Sequence, residues 1–367
     1  MSNFDKDIHQ KEMAIRYCLV NEIVPFLEVN IQNYRELSDT STVITDIDVL
    51  GIKVESFGRP KKIIFDCKTL GKTSPINRAF WASGLMHFTD CTEAFVILRK
   101  KASEAHRLSA RQINVHLFDE QQFANYGESC SLDFRVDYSY STSITNWIEL
   151  FSSVSGNTKL GQFVRFLNSD IPAEKDTARA FRKFLVALEK VKGELDPEKA
   201  KHKAVFNYAL SIFMYILAKI IHDFRGVVDY EVNEREYEKL MKYYIWGGRE
   251  SFLLKNKMKE LFSNSADSSV ISEPEIKSWP KYLELTRKLL DSPGDVQKCI
   301  LPVREIAFMD IASRSIDKDR FSSRYISNNK RVRQFSTSTA KYLIDAVRLP
   351  RDFSVQLECI FDEIREI

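Results

Sequence analysis

The 367-residue chain has no C-x-x-C pair and no His/Cys cluster at zinc-ligand spacing; its six cysteines stand singly at 18, 67, 91, 130, 299 and 359. That excludes zinc-finger and dithiol redox chemistry. The opening MSNFDKDIHQKE is polar and holds no apolar signal segment, so free thiols in a reducing cytoplasm are expected. Charge of one sign is also scarce. Lys and Arg total 54 against 51 Asp and Glu, a net charge of +3. This is too mild to argue for nucleic acid by itself, and a binder with this balance must concentrate its basic residues locally. No internal repeat is evident, and no paired stacking aromatics of the kind RNA-binding sheets carry stand out.

One apolar run, 204–224 (AVFNYALSIFMYILAKIIHDF), invites a test as a membrane span. It carries Asn207, Lys219, His222 and Asp223, and is read as a buried helix rather than a span. A dimer interface is its sharper alternative. A 44% hydrophobic and 12% aromatic composition is ample for a packed core.

The first 135 residues read as mixed α/β. A helix is expected over 10–24, ended by Pro25, with strands at 29–34, 43–53 (VITDIDVLGIK) and 61–69 (KKIIFDCKT). A turn, ESFGRP, separates the last two. A helix from Pro75 to about Met86 follows, then strand 93–99, helix 104–112, strand 114–118 and helix 119–126 capped by Gly127. Strands alternating with helices imply a sheet covered on both faces. From 136 to 367 only helical periodicity recurs, which predicts an all-α second domain for substrate or partner recognition or dimerisation, with a loop at 264–274 (NSADSSVISEP).

Side-chain alternation concentrates the chemistry. In TDIDVLG, Asp46, Asp48 and Leu50 share one face; in KKIIFDCKT, Ile64, Asp66 and Lys68 share one. A hairpin turning at Phe57 sets Asp48 opposite Asp66, and one turning at Gly58 sets it opposite Lys68. A slip by one residue would put Asp48 on the wrong face. Two carboxylates held this close repel unless a cation compensates. One or two carboxylates plus waters and a phosphate are what Mg²⁺ takes. Lys68 would orient or deprotonate the attacking water, or stabilise charge at phosphorus. Asp46 is read as a supporting or exposed residue. Cys67 points to the other face as a small apolar group, and His87, His106 and His116 lack ligand spacing.

At Asp48 and Asp66-Cys67-Lys68 the chain resembles the PD-(D/E)XK, restriction-endonuclease-like nucleases, and the elements from 75 to 126 look like the tail of their Mrr-type members. The resemblance covers about 10–130. It departs in having Ile47 where the family often has proline, and Asp rather than Glu as second acid. It implies a metal-dependent endonuclease hydrolysing DNA, with Asp48 and Asp66 on Mg²⁺ (Mn²⁺ substituting) and a setting in restriction or anti-phage defence. It also makes a homodimer and an ATPase or helicase partner reasonable. A glutamate of the first helix often joins such sites; Glu12 and Glu22 both qualify. Lys72 and Arg78 are placed to touch phosphate. Arg99-Lys100-Lys101 and the basic stretch 320–335, with Arg331 and Arg333, offer contacts outside the core. The same residues leave two other readings open: a catalytically silent binding or assembly module, and an RNase.

Overall fold

The computed structural model describes residues 7–33, 40, 42–54, 60–68, 73–135, 139–263, 276–313 and 321–366. Helix α1 (Ile8–Val20) precedes strands β1 (Val24–Gln32), β2 (Val43–Lys53) and β3 (Lys61–Lys68). Then come α2 (Pro75–Thr89), β4 (Glu93–Leu98), α3 (Glu104–Arg111), β5 (Val115–Asp119) and α4 (Glu120–Cys130). The strands form one sheet in the order β1-β2-β3-β4-β5, antiparallel across the first three and parallel across the last three. Such a mixed sheet needs crossover helices only on its parallel side, and α2 and α3 supply them.

Several boundaries differ from expectation: β1 begins at Val24 rather than at 29, and α2 runs on to Thr89. The first helix ends at Val20, not at residue 24. Asn21 folds its side-chain amide back onto the Tyr17 carbonyl, and Glu22 adopts a left-handed backbone at φ 57°. The chain thereby turns early enough for Pro25 to lie inside β1, opposite Gly51. β1 is an outer strand, so a residue without an N–H costs it no ladder bond. Gly127 is not a cap but lies within α4, where a Cβ would come within 2.5 Å of the Phe134 ring. The ESFGRP turn, apart from Pro60, and the loop 264–274 lie outside the described residues.

The sheet faces are unlike. Phe65, Phe95 and His116 stand side by side on one face, with Phe65–Phe95 centroids 5.3 Å and Phe95–His116 4.7 Å apart. Tyr17 of α1 and Phe123 of α4 pack onto them. His116 is thus part of an aromatic layer. The other face carries Ile64, Asp66 and Lys68, and α2 lies over it.

The helical half comprises α5 (Ile144–Ser153), α6 (Thr158–Arg165), a one-turn α7 (Ile171–Ala173), α8 (Thr177–Val191), α9 (Ala200–Arg225), α10 (Glu234–Ile245), α11 (Arg249–Ser263), α12 (Trp279–Leu290), α13 (Pro293–Lys298), α14 (Ile300–Ala312), α15 (Phe321–Asn328), α16 (Lys330–Val347) and α17 (Asp352–Glu366). No strand occurs among its described residues. Its buried residues join those of the sheet in one continuous core. It also covers the outer edge of β1, where exposed N–H and C=O groups would otherwise invite another chain. Asn168 donates its side-chain amide to the Leu27 carbonyl at 2.6 Å, and the Asn30 N–H donates to Ser169 Oγ at 3.2 Å. Tyr208 of α9 fixes the Asn168 amide by donating to its oxygen.

Helix α9 is long and apolar enough to cross a membrane, yet its apolar window is wholly buried among the other helices, the position of a core helix in a soluble fold. Lys219 is the exception in that window. It is 9% exposed, and burial pulls its pKa from 10.5 down to about 8, with Lys62 adding repulsion and Asp223 partly opposing. Below pH 8 the ammonium is charged in folded and unfolded chains alike, so the full burial cost applies. Between pH 8 and 10.5 the folded chain releases the proton first, and that cost disappears. Lys219→Met is therefore expected to add about 3 kcal/mol of stability at pH 7, the free energy of a shift this size. Urea unfolding should show the gain shrinking by pH 9.5, and a variant no more stable than wild type at pH 7 would contradict it.

Candidate metal centre

The β2–β3 ladder runs from Lys53↔Lys61 to Val49↔Phe65, the register of a turn centred on Phe57. One step further, Asp48 faces Asp66, but there the ladder ends. Instead of a backbone carbonyl, the Asp48 carboxylate accepts the Cys67 N–H, at 2.7 Å. The side chain is inserted where the strands part. This places an acid between two strands with one oxygen anchored by an amide.

Lys68 Nζ lies 3.2 Å from Asp48 Oδ2 and 3.7 Å from Asp66 Oδ1. The two carboxylates thus reach one ammonium, and lie closer than the separation of about 8 Å beyond which they could not share one hydrated ion. Asp48 and Asp66 are both buried. Burial raises the Asp48 pKa, Lys68 opposes the rise, and Asp66 reinforces it. Burial works against the Lys68 charge as well, but the two carboxylates outweigh it and hold its pKa above the ordinary lysine value. Lys68 therefore stays cationic at neutral pH. It can orient a water or stabilise an oxyanion, and it is a poor proton acceptor.

Arg78 joins the group. Ser74 caps α2 by accepting the Asn77 N–H, and Pro75 begins the helix, which puts Arg78 in its first turn. Its Nε and Nη2 each lie 2.5 Å from an oxygen of Asp66, and its guanidinium covers the Trp81 ring at 3.7 Å. Lys72, the other predicted phosphate contact, lies outside the described residues.

Neither first-helix glutamate enters the centre. Glu12 accepts the Ile144 N–H at the start of α5, and Glu22, just beyond α1, accepts from Tyr325. The acid that does enter is Glu28 of β1, which alternation did not single out. Its backbone is left-handed at φ 52°, an arrangement that costs a non-glycine residue about 1 kcal/mol or more. Oxygens of Glu28, Asp46 and Asp48 lie within 4.8 Å of one another. Asp46, expected to be peripheral, is thus part of an acidic trio. Lys11 of α1, itself 1% exposed, pairs with Glu28 at 2.5 Å. Burial raises the Glu28 pKa to about 7, Lys11 opposes this, and Asp48 and Asp46 add to it. A buried lysine and an acid on the preceding strand are visible in the sequence, but nothing in the period-2 pattern marks their meeting.

The donor set is all carboxylate oxygen. Such hard donors fit Mg²⁺ or Mn²⁺ and not a thiophilic ion, and Cys67, although adjacent, is buried toward the other face. Asp48 belongs to both candidate groupings, the trio with Glu28 and Asp46 and the pair with Asp66.

Of the predicted contacts outside the core, Arg331 and Arg333 are engaged elsewhere. Arg331 pairs with Asp295 at 3.7 Å and stacks on Phe335, and Arg333 pairs with Asp362. Both sit at the start of α16, and their charges are neutralised within the helical half. Arg320 lies outside the described residues. No family model, curated protein or solved structure matches the chain.

Proposed function

We propose that the protein is a Mg²⁺-dependent nuclease that hydrolyses DNA phosphodiester bonds at the parting of β2 and β3. One observation carries this reading: two buried carboxylates and a lysine kept cationic converge where the backbone ladder ends. The strand order and the resemblance of Asp48 and Asp66-Cys67-Lys68 to PD-(D/E)XK nucleases support it. Asp48 and Asp66 would hold the ion, with Glu28 and Asp46 close enough to Asp48 to contribute. The bound ion supplies an acidified water and neutralises phosphate charge. Lys68 hydrogen-bonds the attacking water or a non-bridging oxygen and steadies charge as it develops. Restriction or anti-phage defence is the setting the resemblance offers, and the helical half would select substrate or partner.

A second reading has its own support. Each buried acid already faces a cation: Glu28 with Lys11, Asp66 with Arg78, Asp48 with Lys68. A centre compensated in this way could be a structural polar core in a binding module.

Incubation with plasmid DNA, linear DNA and RNA, in Mg²⁺, Mn²⁺ or EDTA, separates these. The nuclease reading expects cleavage with either metal, none in EDTA, and none by Lys68→Ala. Cleavage of RNA alone would move the substrate to RNA. Identical behaviour of wild type and Lys68→Ala under every condition would sink the catalytic reading.

A further inference from the structure

Arg78 stands between Asp66 and solvent. Its side chain is 21% exposed and that of Asp66 3%. A phosphate approaching the Asp66 side would meet the guanidinium before the carboxylate. The fork uses Nε and Nη2, and Nη1 takes no partner among the described residues. Trp81 holds the guanidinium by its face, leaving its donor edge to choose the anion.

We propose that Arg78 shuttles between Asp66 and a substrate phosphate, so that divalent metal and nucleic acid bind cooperatively. The inference rests on the nuclease reading above. Its physical basis is competition for one carboxylate. A guanidinium forks a phosphate with the geometry it uses on a carboxylate. A divalent ion arriving alone meets an Asp66 already neutralised, with Lys68 also 3.7 Å from Oδ1. Binding metal there sets the ion against both Arg78 and Lys68 on one acid. A phosphodiester relieves this by giving Arg78 an anion of its own, which frees Asp66 for the ion. By linkage, metal must then tighten phosphate binding by the same factor as phosphate tightens metal. A plain structural ion pair makes no such demand.

The test is Mn²⁺ affinity by calorimetry on the full chain without nucleic acid, for wild type, Arg78→Gln and Trp81→Leu, each repeated with diethyl phosphate as an uncleaved phosphodiester. Arg78→Gln should bind Mn²⁺ about tenfold or more tightly than wild type, the scale of one lost charge-assisted contact. Diethyl phosphate should tighten Mn²⁺ in wild type and leave Arg78→Gln unmoved. Trp81→Leu keeps both charges but loosens the fork, should shift affinity the same way by less, and decides the matter if Arg78→Gln does not fold. A folded Arg78→Gln, judged by circular dichroism, that binds Mn²⁺ no better than wild type overturns the shuttle while leaving the nuclease reading intact. No Mn²⁺ uptake by any of the three proteins overturns both.

Discussion

On the nuclease reading proposed above, Asp48→Asn is expected to abolish metal-dependent cleavage, with a loss on the order of a thousandfold or more, the scale on which removal of one group stabilising transition-state charge acts. The substitution preserves shape and keeps an oxygen able to accept the Cys67 N–H, so the fold should survive and the loss should lie in chemistry. Single-turnover cleavage of plasmid DNA across a Mg²⁺ titration measures it. Two companion variants locate the ion. If Asp48 and Asp66 hold it, Asp66→Asn will be as damaging as Asp48→Asn, and Glu28→Gln much less so. If the ion sits in the trio of Glu28, Asp46 and Asp48, that order reverses. Wild-type rates in Asp48→Asn would remove both arrangements at once, because Asp48 is common to them.

The contrast between these two groupings shows how much of the site the chain displays in its residue order. Asp48, Asp66 and Lys68 were legible because period-2 alternation and a short turn constrain which side chains can meet, and the observed register is one of the two a turn at 57 or 58 allows. Glu28 was not. The strand was expected to begin at residue 29, so Glu28, which pairs with Lys11 of α1, was given no place on the sheet. With β1 beginning at Val24, the pairs Leu27↔Val49 and Val29↔Ile47 bracket residue 28 opposite Asp48. The all-helical character from 136 onward was legible from 3.6-residue periodicity. The way those helices dock was not, because Asn168, Ser169 and Arg304 reach β1 across well over a hundred residues. Pairings at such separations leave no local pattern.

That docking leads to the largest stability effect expected here. Glu305 of α14 is wholly buried and accepts from the Ser139 and Ser141 hydroxyls and from the Tyr140 and Ser141 N–H groups. Burial raises its pKa, and these donors work against the rise. The segment it holds, 139–141, leads into α5, where Glu12 of α1 accepts the Ile144 N–H. The preceding residue, Arg304, donates to the Pro25 carbonyl of β1 and covers the Phe26 ring at 4.8 Å. One turn of α14 therefore ties the strand that carries Glu28 to the connection between the two halves. Glu305→Ala removes the shared acceptor and leaves the buried Tyr140 and Ser141 N–H groups and one of the two serine hydroxyls without a partner, the other hydroxyl still reaching its neighbour, so it should cost about 3–5 kcal/mol. Glu305→Gln, which keeps one acceptor oxygen and no charge, should cost less. Equilibrium urea unfolding measures both, and a loss below about 1 kcal/mol in Glu305→Ala would contradict the assignment. On the nuclease reading, metal-dependent cleavage should persist in whatever fraction stays folded, since Glu305 makes its contacts at the joint between the halves and not with Asp48, Asp66 or Lys68.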